Sequence, residues 1–176
     1  MNLWKDLKTG PKPPGIVHAV VEVPKGSRIK YKFAGKDEWY LTFDQILYVP
    51  MFYVGNYGIV PQTLWDDGSP LKILVIMDET VVPETVIVSK PVAVLEMNVE
   101  GRRSDKIIAV AQDDPRYAHL EDLRDLDKRI QDQIAHFFYS YNSIDGKKVE
   151  LLGWKDAKFA QKAITHAQKL FKSKVK

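Results

Sequence analysis

Helical periodicity is confined to the last third of this 176-residue chain, and the apolar segments before it carry the signature of strands. Residues 16–23 are rich in β-branched side chains and stop at Pro24, which predicts a strand. Residues 28–33 alternate Ile29, Tyr31 and Phe33 with Arg28, Lys30 and Lys32, the pattern of a half-exposed strand with a basic face. Residues 39–47 predict its partner, across a turn at Gly35-Lys36-Asp37. Further strands are predicted at 71–77, 85–97, 106–111 and 147–152. The aromatic and glycine-rich stretch 50–61 reads as a structured loop, and 98–105 as a polar loop. Pro11, Pro13, Pro14 and Gly15 make the start an irregular lead-in, because proline removes donors and fixes φ.

Two helices come late. Leu126, Ile130, Ile134, Phe137, Phe138 and Tyr141 recur at three- and four-residue spacing. Asp156 is placed to cap a last helix striped with Ala160, Ala163, Ile164, Ala167 and Phe171. Many strands followed by helices predict an α+β arrangement, a barrel packed by helices. With 45% hydrophobic and 28% charged residues, the whole chain 1–176 reads as a single globular domain.

Charge and composition exclude some classes. A formal net charge of +3 argues against a nucleic-acid partner. The lysines Lys169, Lys172, Lys174 and Lys176 read as a solvated helix end. The absence of cysteine rules out disulfides and thiolate metal sites. No apolar run is long enough to cross a membrane, and the N-terminus lacks a signal-peptide core, so the expected location is cytoplasmic. His18, His119, His136 and His166 show no ligand spacing, and Ser27, Ser69 and Ser104 have no histidine partner marking a nucleophile.

Several stretches stand out together: Val21-Glu22-Val23-Pro24-Lys25-Gly26-Ser27 with Ile29-Lys30-Tyr31, then Phe52-Tyr53, then the run from Asn56 to Leu64. Asp67-Gly68-Ser69-Pro70-Leu71, Asp105 to Val110, Ile134 to Phe138 and Gly153-Trp154 follow. In their order and spacing these stretches resemble the family I soluble inorganic pyrophosphatases. The resemblance implies an OB-like five-stranded β-barrel with extra strands and two helices in the C-terminal half. It also implies Mg²⁺-assisted hydrolysis of pyrophosphate, in which a carboxylate cage holds the ions that activate water. Assembly as a trimer or hexamer follows from the same likeness, with Ala135-His136-Phe137-Phe138 on the helix that family members use.

Carried over residue by residue, the likeness is uneven. The family's D-G-D-P-x-D reads here as Asp67, Ser69 and Lys72 at its three acidic places. With Lys106 as anchor and no gap, two more metal-binding aspartates fall on Val99 and Ser104, and the glutamate of K-x-E falls on Lys32. Glu22 and Asp67 are the metal candidates that remain. Lys30, Lys106, Tyr53, Tyr57 and Tyr141 match phosphate-site positions, and Lys32 and Lys72 would join them in an anion pocket. Gln45 and Asn142 stand where the family has cations. These exchanges leave the pocket about five charges more positive than the family pattern.

Magnesium demands hard oxygen ligands, so lysine, valine and serine do not replace carboxylates. The expected protein is therefore a pseudoenzyme with a phosphate, pyrophosphate or nucleotide pocket and no cofactor. Two alternatives stand beside it. One is an active pyrophosphatase, with Mg²⁺ held by a rearranged set drawn from Glu22, Asp67, Asp105, Asp66 and Glu100. The other is a non-catalytic subunit pairing with itself or a paralogue. Single-stranded nucleic acid binding would follow only from analogy with other OB-like barrels.

Overall fold

The computed structural model describes residues 1–34 and 39–175. Five strands close into a ring: β1 (Val17–Val23), β4 (Asn56–Ile59), β5 (Lys72–Ile76), β8 (Lys106–Ala111) and β6 (Val86–Val99), which pairs back with β1. All contacts around the ring are antiparallel except β5 with β8. The two-residue strand β7 (Arg102–Arg103) and β9 (Val149–Lys155) both extend β6. A separate hairpin pairs β2 (Ile29–Ala34) with β3 (Tyr40–Ile46). Two helices complete the α+β fold: α1 (Lys128–Ile144) and α2 (Ala157–Lys174).

Strand alternation sorts the apolar residues into two clusters. On β5, Leu74 and Ile76 face a cluster that includes Phe137 and Phe138 of α1. Ile73 and Val75 face a second one, closed by Ala160, Ala163, Ile164 and Ala167 of α2. Strand β8 does the same, with Ile108 and Val110 on the first side and Ile107 and Ala109 on the second. Asp156 caps α2 as expected, accepting the Phe159 N–H at 2.8 Å.

Two segments read as loops contain strands. Residues 56–59 form β4, and Arg102–Arg103 form β7. In β4 the reason lies at Gly58, where a Cβ would stand 1.9 Å from the Val20 carbonyl oxygen. Only glycine lets β4 lie that close to β1, so a glycine that reads as a breaker is here a packing residue. The helix expected from Leu126 begins at Lys128, with Leu126 ending a short 3₁₀ turn before it. The turn expected at Gly35-Lys36-Asp37 falls outside the described residues.

Candidate functional site

Parallel pairing of β5 with β8 puts Lys72 directly beside Lys106. Both share strand parity with the residues facing α1, so both side chains leave on that side. They line a cavity of about 260 Å³ together with Lys30, Lys32 and Lys147, and with Glu22, Asp44 and Asp67. Five lysines thus meet three carboxylates. Tyr31, Tyr57, Tyr141, Ser69, Val99, Ser104 and Asn142 supply the rest of the wall.

Most of the carboxylates are already engaged. Lys72 Nζ lies 2.7 Å from Glu22 Oε2, and Glu22 Oε1 accepts the Phe33 N–H at 3.1 Å. Glu22 is 2% exposed and the Lys72 side chain 20%, so the pair is buried on its acidic side and reached by solvent on the other. Asp44 is gripped from two sides, by Lys30 at 3.1 Å and Lys32 at 2.8 Å. Burial would raise the Asp44 carboxyl, but these two lysines outweigh it and hold it below its ordinary range. Burial likewise works to lower Lys30, and the neighbouring Tyr141 and Asp44 reverse that and raise it. Asp67 Oδ1 accepts the Ser69 N–H at 2.9 Å and the Ser69 hydroxyl at 2.6 Å.

Lys106 differs from its neighbours. It is 4% exposed and donates to the Ser104 carbonyl and hydroxyl, both at 2.8 Å. Among the described residues no carboxylate pairs with it. Burial lowers its ammonium to about 7; Lys72 and Lys30 push the same way, and Asp67 and Asp105 only partly oppose them. Three of the lysines stand over aromatic rings: Lys72 over Tyr57 (5.8 Å), Lys30 over Tyr141 (5.8 Å) and Lys106 over Phe138 (5.7 Å). Burial raises Tyr57 well above the usual tyrosine range, so it remains a neutral phenol.

Of the residues singled out from sequence, Glu22, Lys30, Lys32, Tyr57, Asp67, Ser69, Lys72, Val99, Ser104, Lys106 and Tyr141 all line the one cavity. Tyr53 does not. Its ring is fully buried between Tyr57 and Phe137, and its hydroxyl has no hydrogen-bond partner among the described residues. Gln45 turns outward to donate to Asp145 at 2.9 Å, whereas Asn142 lines the cavity and donates to the Phe138 carbonyl.

Of the carboxylates considered for a rearranged metal set, Asp105, Asp66 and Glu100 do not join Glu22 and Asp67 in the cavity. Asp105 is chelated by Arg103 Nε at 3.1 Å and Nη2 at 2.6 Å, Asp66 meets His166 at 3.0 Å, and Glu100 accepts the Lys148 N–H. Asp105 fails for a positional reason: odd and even residues leave opposite faces of this strand, and Lys106 holds the cavity side. Among the described residues no three Asp, Glu or His side chains are grouped to hold a metal ion.

Asp44, Lys147 and Tyr31 are the cavity residues that sequence reasoning missed. Lys30 pairs with Gln45 and Tyr31 with Phe43, which leaves Asp44 as the extra residue of a β-bulge. A bulge re-aims a side chain, and no glycine marks this one.

The architecture is thus a closed five-stranded barrel with helices on two sides and a lysine-lined cavity. The inorganic pyrophosphatase profile matches residues 19–172. The inorganic pyrophosphatase of Haloferax volcanii is 42% identical over 172 residues, covering 97% of each chain. That of Halobacterium salinarum is 43% identical, over 97% of this chain and 96% of its own. The crystal structure of inorganic pyrophosphatase from Thermus thermophilus superposes with a TM-score of 0.92 at 35% identity, covering 98% of this chain and 99% of that one. This chain belongs to the inorganic pyrophosphatase family.

Proposed function

We propose that this chain binds a phosphate-like anion, such as phosphate, pyrophosphate or a nucleotide phosphate, in its lysine and tyrosine cavity without a metal ion. Hydrolysis of pyrophosphate by the family's Mg²⁺ mechanism falls to background. The observation that carries the reading is the Lys72–Glu22 ion pair at 2.7 Å. Lys72 stands where the family carries a metal-binding aspartate, and its ammonium occupies the carboxylate that a cation would need. A Mg²⁺ ion takes near-octahedral oxygen ligands, and it would meet this ammonium and that of Lys106 at close range. Glu22, Asp44 and Asp67, each already engaged, do not fit it, so no catalytic step is assigned to a metal here. Lysines in excess of carboxylates favour an anion in the same space.

Calorimetry in EDTA with phosphate and pyrophosphate tests the proposal. Binding that is unchanged by added Mg²⁺ is the expected result, and no binding of either anion overturns it. The names of the archaeal relatives favour a second reading, an active pyrophosphatase. Phosphate release from pyrophosphate with Mg²⁺ or Mn²⁺ decides between the two.

We also propose that the chain self-associates, as a trimer or hexamer or with a paralogue. His136 and Tyr139 are both exposed on the outer side of α1, where a partner can reach them. Light scattering that finds a monomer at high concentration refutes this.

A further inference from the structure

Helix α2 carries five lysines, Lys158, Lys162, Lys169, Lys172 and Lys174, and no acidic residue. Helix α1, by contrast, pairs Lys128 with Asp132 one turn on. Among the described residues no carboxylate pairs with any of the five. At 100° per residue, Lys158, Lys162, Lys169 and Lys172 fall on one stripe, opposite the buried Ala160, Ala163, Ile164 and Ala167. From Lys158 to Lys172 the stripe runs about 21 Å.

The stripe is not a flat surface. Two hollows of about 460 and 450 Å³ adjoin along it and share Lys158 and Lys162. Thr165, His166 and Lys169 continue the first hollow. The second is closed by Lys155, Trp154 and Phe159, with Lys155 Nζ 5.9 Å above the Phe159 ring. Acidic groups nearby are few and engaged: Asp156 caps α2, Asp66 meets His166, and Glu96 lies 4.0 Å from Lys155 while holding Arg103.

We infer that this groove binds single-stranded nucleic acid, the phosphates following the lysine row and a base resting on the Trp154–Phe159 end. A line of cations beside aromatic rings suits a chain of phosphates that carries flat rings, since every base has a face to stack. An acidic peptide would use the lysines but has no group that calls for the aromatic end. The small net charge of the whole chain hides this concentration on one helix.

Fluorescence anisotropy of a labelled 12-nucleotide oligo-dT or oligo-U, titrated at several KCl concentrations, tests the inference. With three to four phosphates neutralised, the log–log salt slope is expected near −2 to −3, about 0.7 per phosphate on a single strand. The triple variant K158Q/K162Q/K169Q is expected to lose tenfold or more in affinity at low salt and most of that slope. All three side chains are exposed, so circular dichroism should show the fold unchanged. Pyrophosphate, the ligand proposed for the lysine cavity, is expected to leave the oligonucleotide bound. The inference is overturned if the parent does not bind at low salt, or if the triple variant binds equally. Equal displacement by polyglutamate, or displacement by pyrophosphate at the same concentration, also overturns it, pointing to a generic polyanion surface or to the lysine cavity instead.

Discussion

Replacing Lys106 by methionine probes the cavity's electrostatics directly. The ammonium is buried without a carboxylate partner and is lowered from 10.5 to about 7. In the unfolded chain it titrates near 10.5, so between pH 7 and 10.5 the unfolded state holds a proton that the folded state has released. Stability therefore rises with pH across that window, and below pH 7 the folded protein bears the full cost of the buried charge. The separation from 10.5 to about 7 corresponds to at most about 5 kcal/mol. Methionine removes the charge but forfeits two hydrogen bonds to Ser104, worth about 1 kcal/mol each. Lys106→Met is then expected to be about 2–3 kcal/mol more stable than the parent at pH 7, a rise in Tm of roughly 5–10 °C. Near pH 10.5 the lysine's cost is gone, and the variant should be equal or slightly less stable. Urea denaturation at pH 7, 8.5 and 10 reads this out. A variant less stable at pH 7, or a difference that does not change with pH, refutes the reasoning. The same substitution should weaken sulfate binding by calorimetry, because the cation that costs stability is one that holds the anion.

Lys72→Met should leave Glu22 buried without its partner and cost about 3 kcal/mol in urea denaturation. Adding Glu22→Gln should recover part of that loss, a coupling that a double-mutant cycle measures. Tyr53→Phe removes a buried hydroxyl with no partner, so stability should hold or rise by up to about 1 kcal/mol. Phosphate affinity by calorimetry should not change, because Tyr53 lies outside the cavity lining. Gly58→Ala should cost more than about 4 kcal/mol or prevent folding, since the new Cβ meets the Val20 carbonyl; circular dichroism and expression yield report it.

The sequence placed most strands and both helices within a few residues, because period-two and period-3.6 patterns are set by neighbours along the chain. Residue likeness to the family also identified most of the cavity. Tyr53, matched to a phosphate-site position, instead packs its ring between Tyr57 and Phe137 in the core. The likeness missed Asp44, which reaches Lys30 and Lys32 only through a bulge without a glycine signal.

What the sequence determined by itself is the order of elements and their buried faces. Tertiary structure alone decided which charges meet. Glu22 and Lys72 lie 50 residues apart, and only closure of the barrel sets one against the other. Lys72 and Lys106 stand side by side because β5 and β8 run parallel in that register. The lysines of α2 form a row beside Trp154 and Phe159 because one helical face is pinned to the barrel and the other is left to solvent. Local pattern fixes which face a side chain takes, while long-range pairing fixes what that face meets.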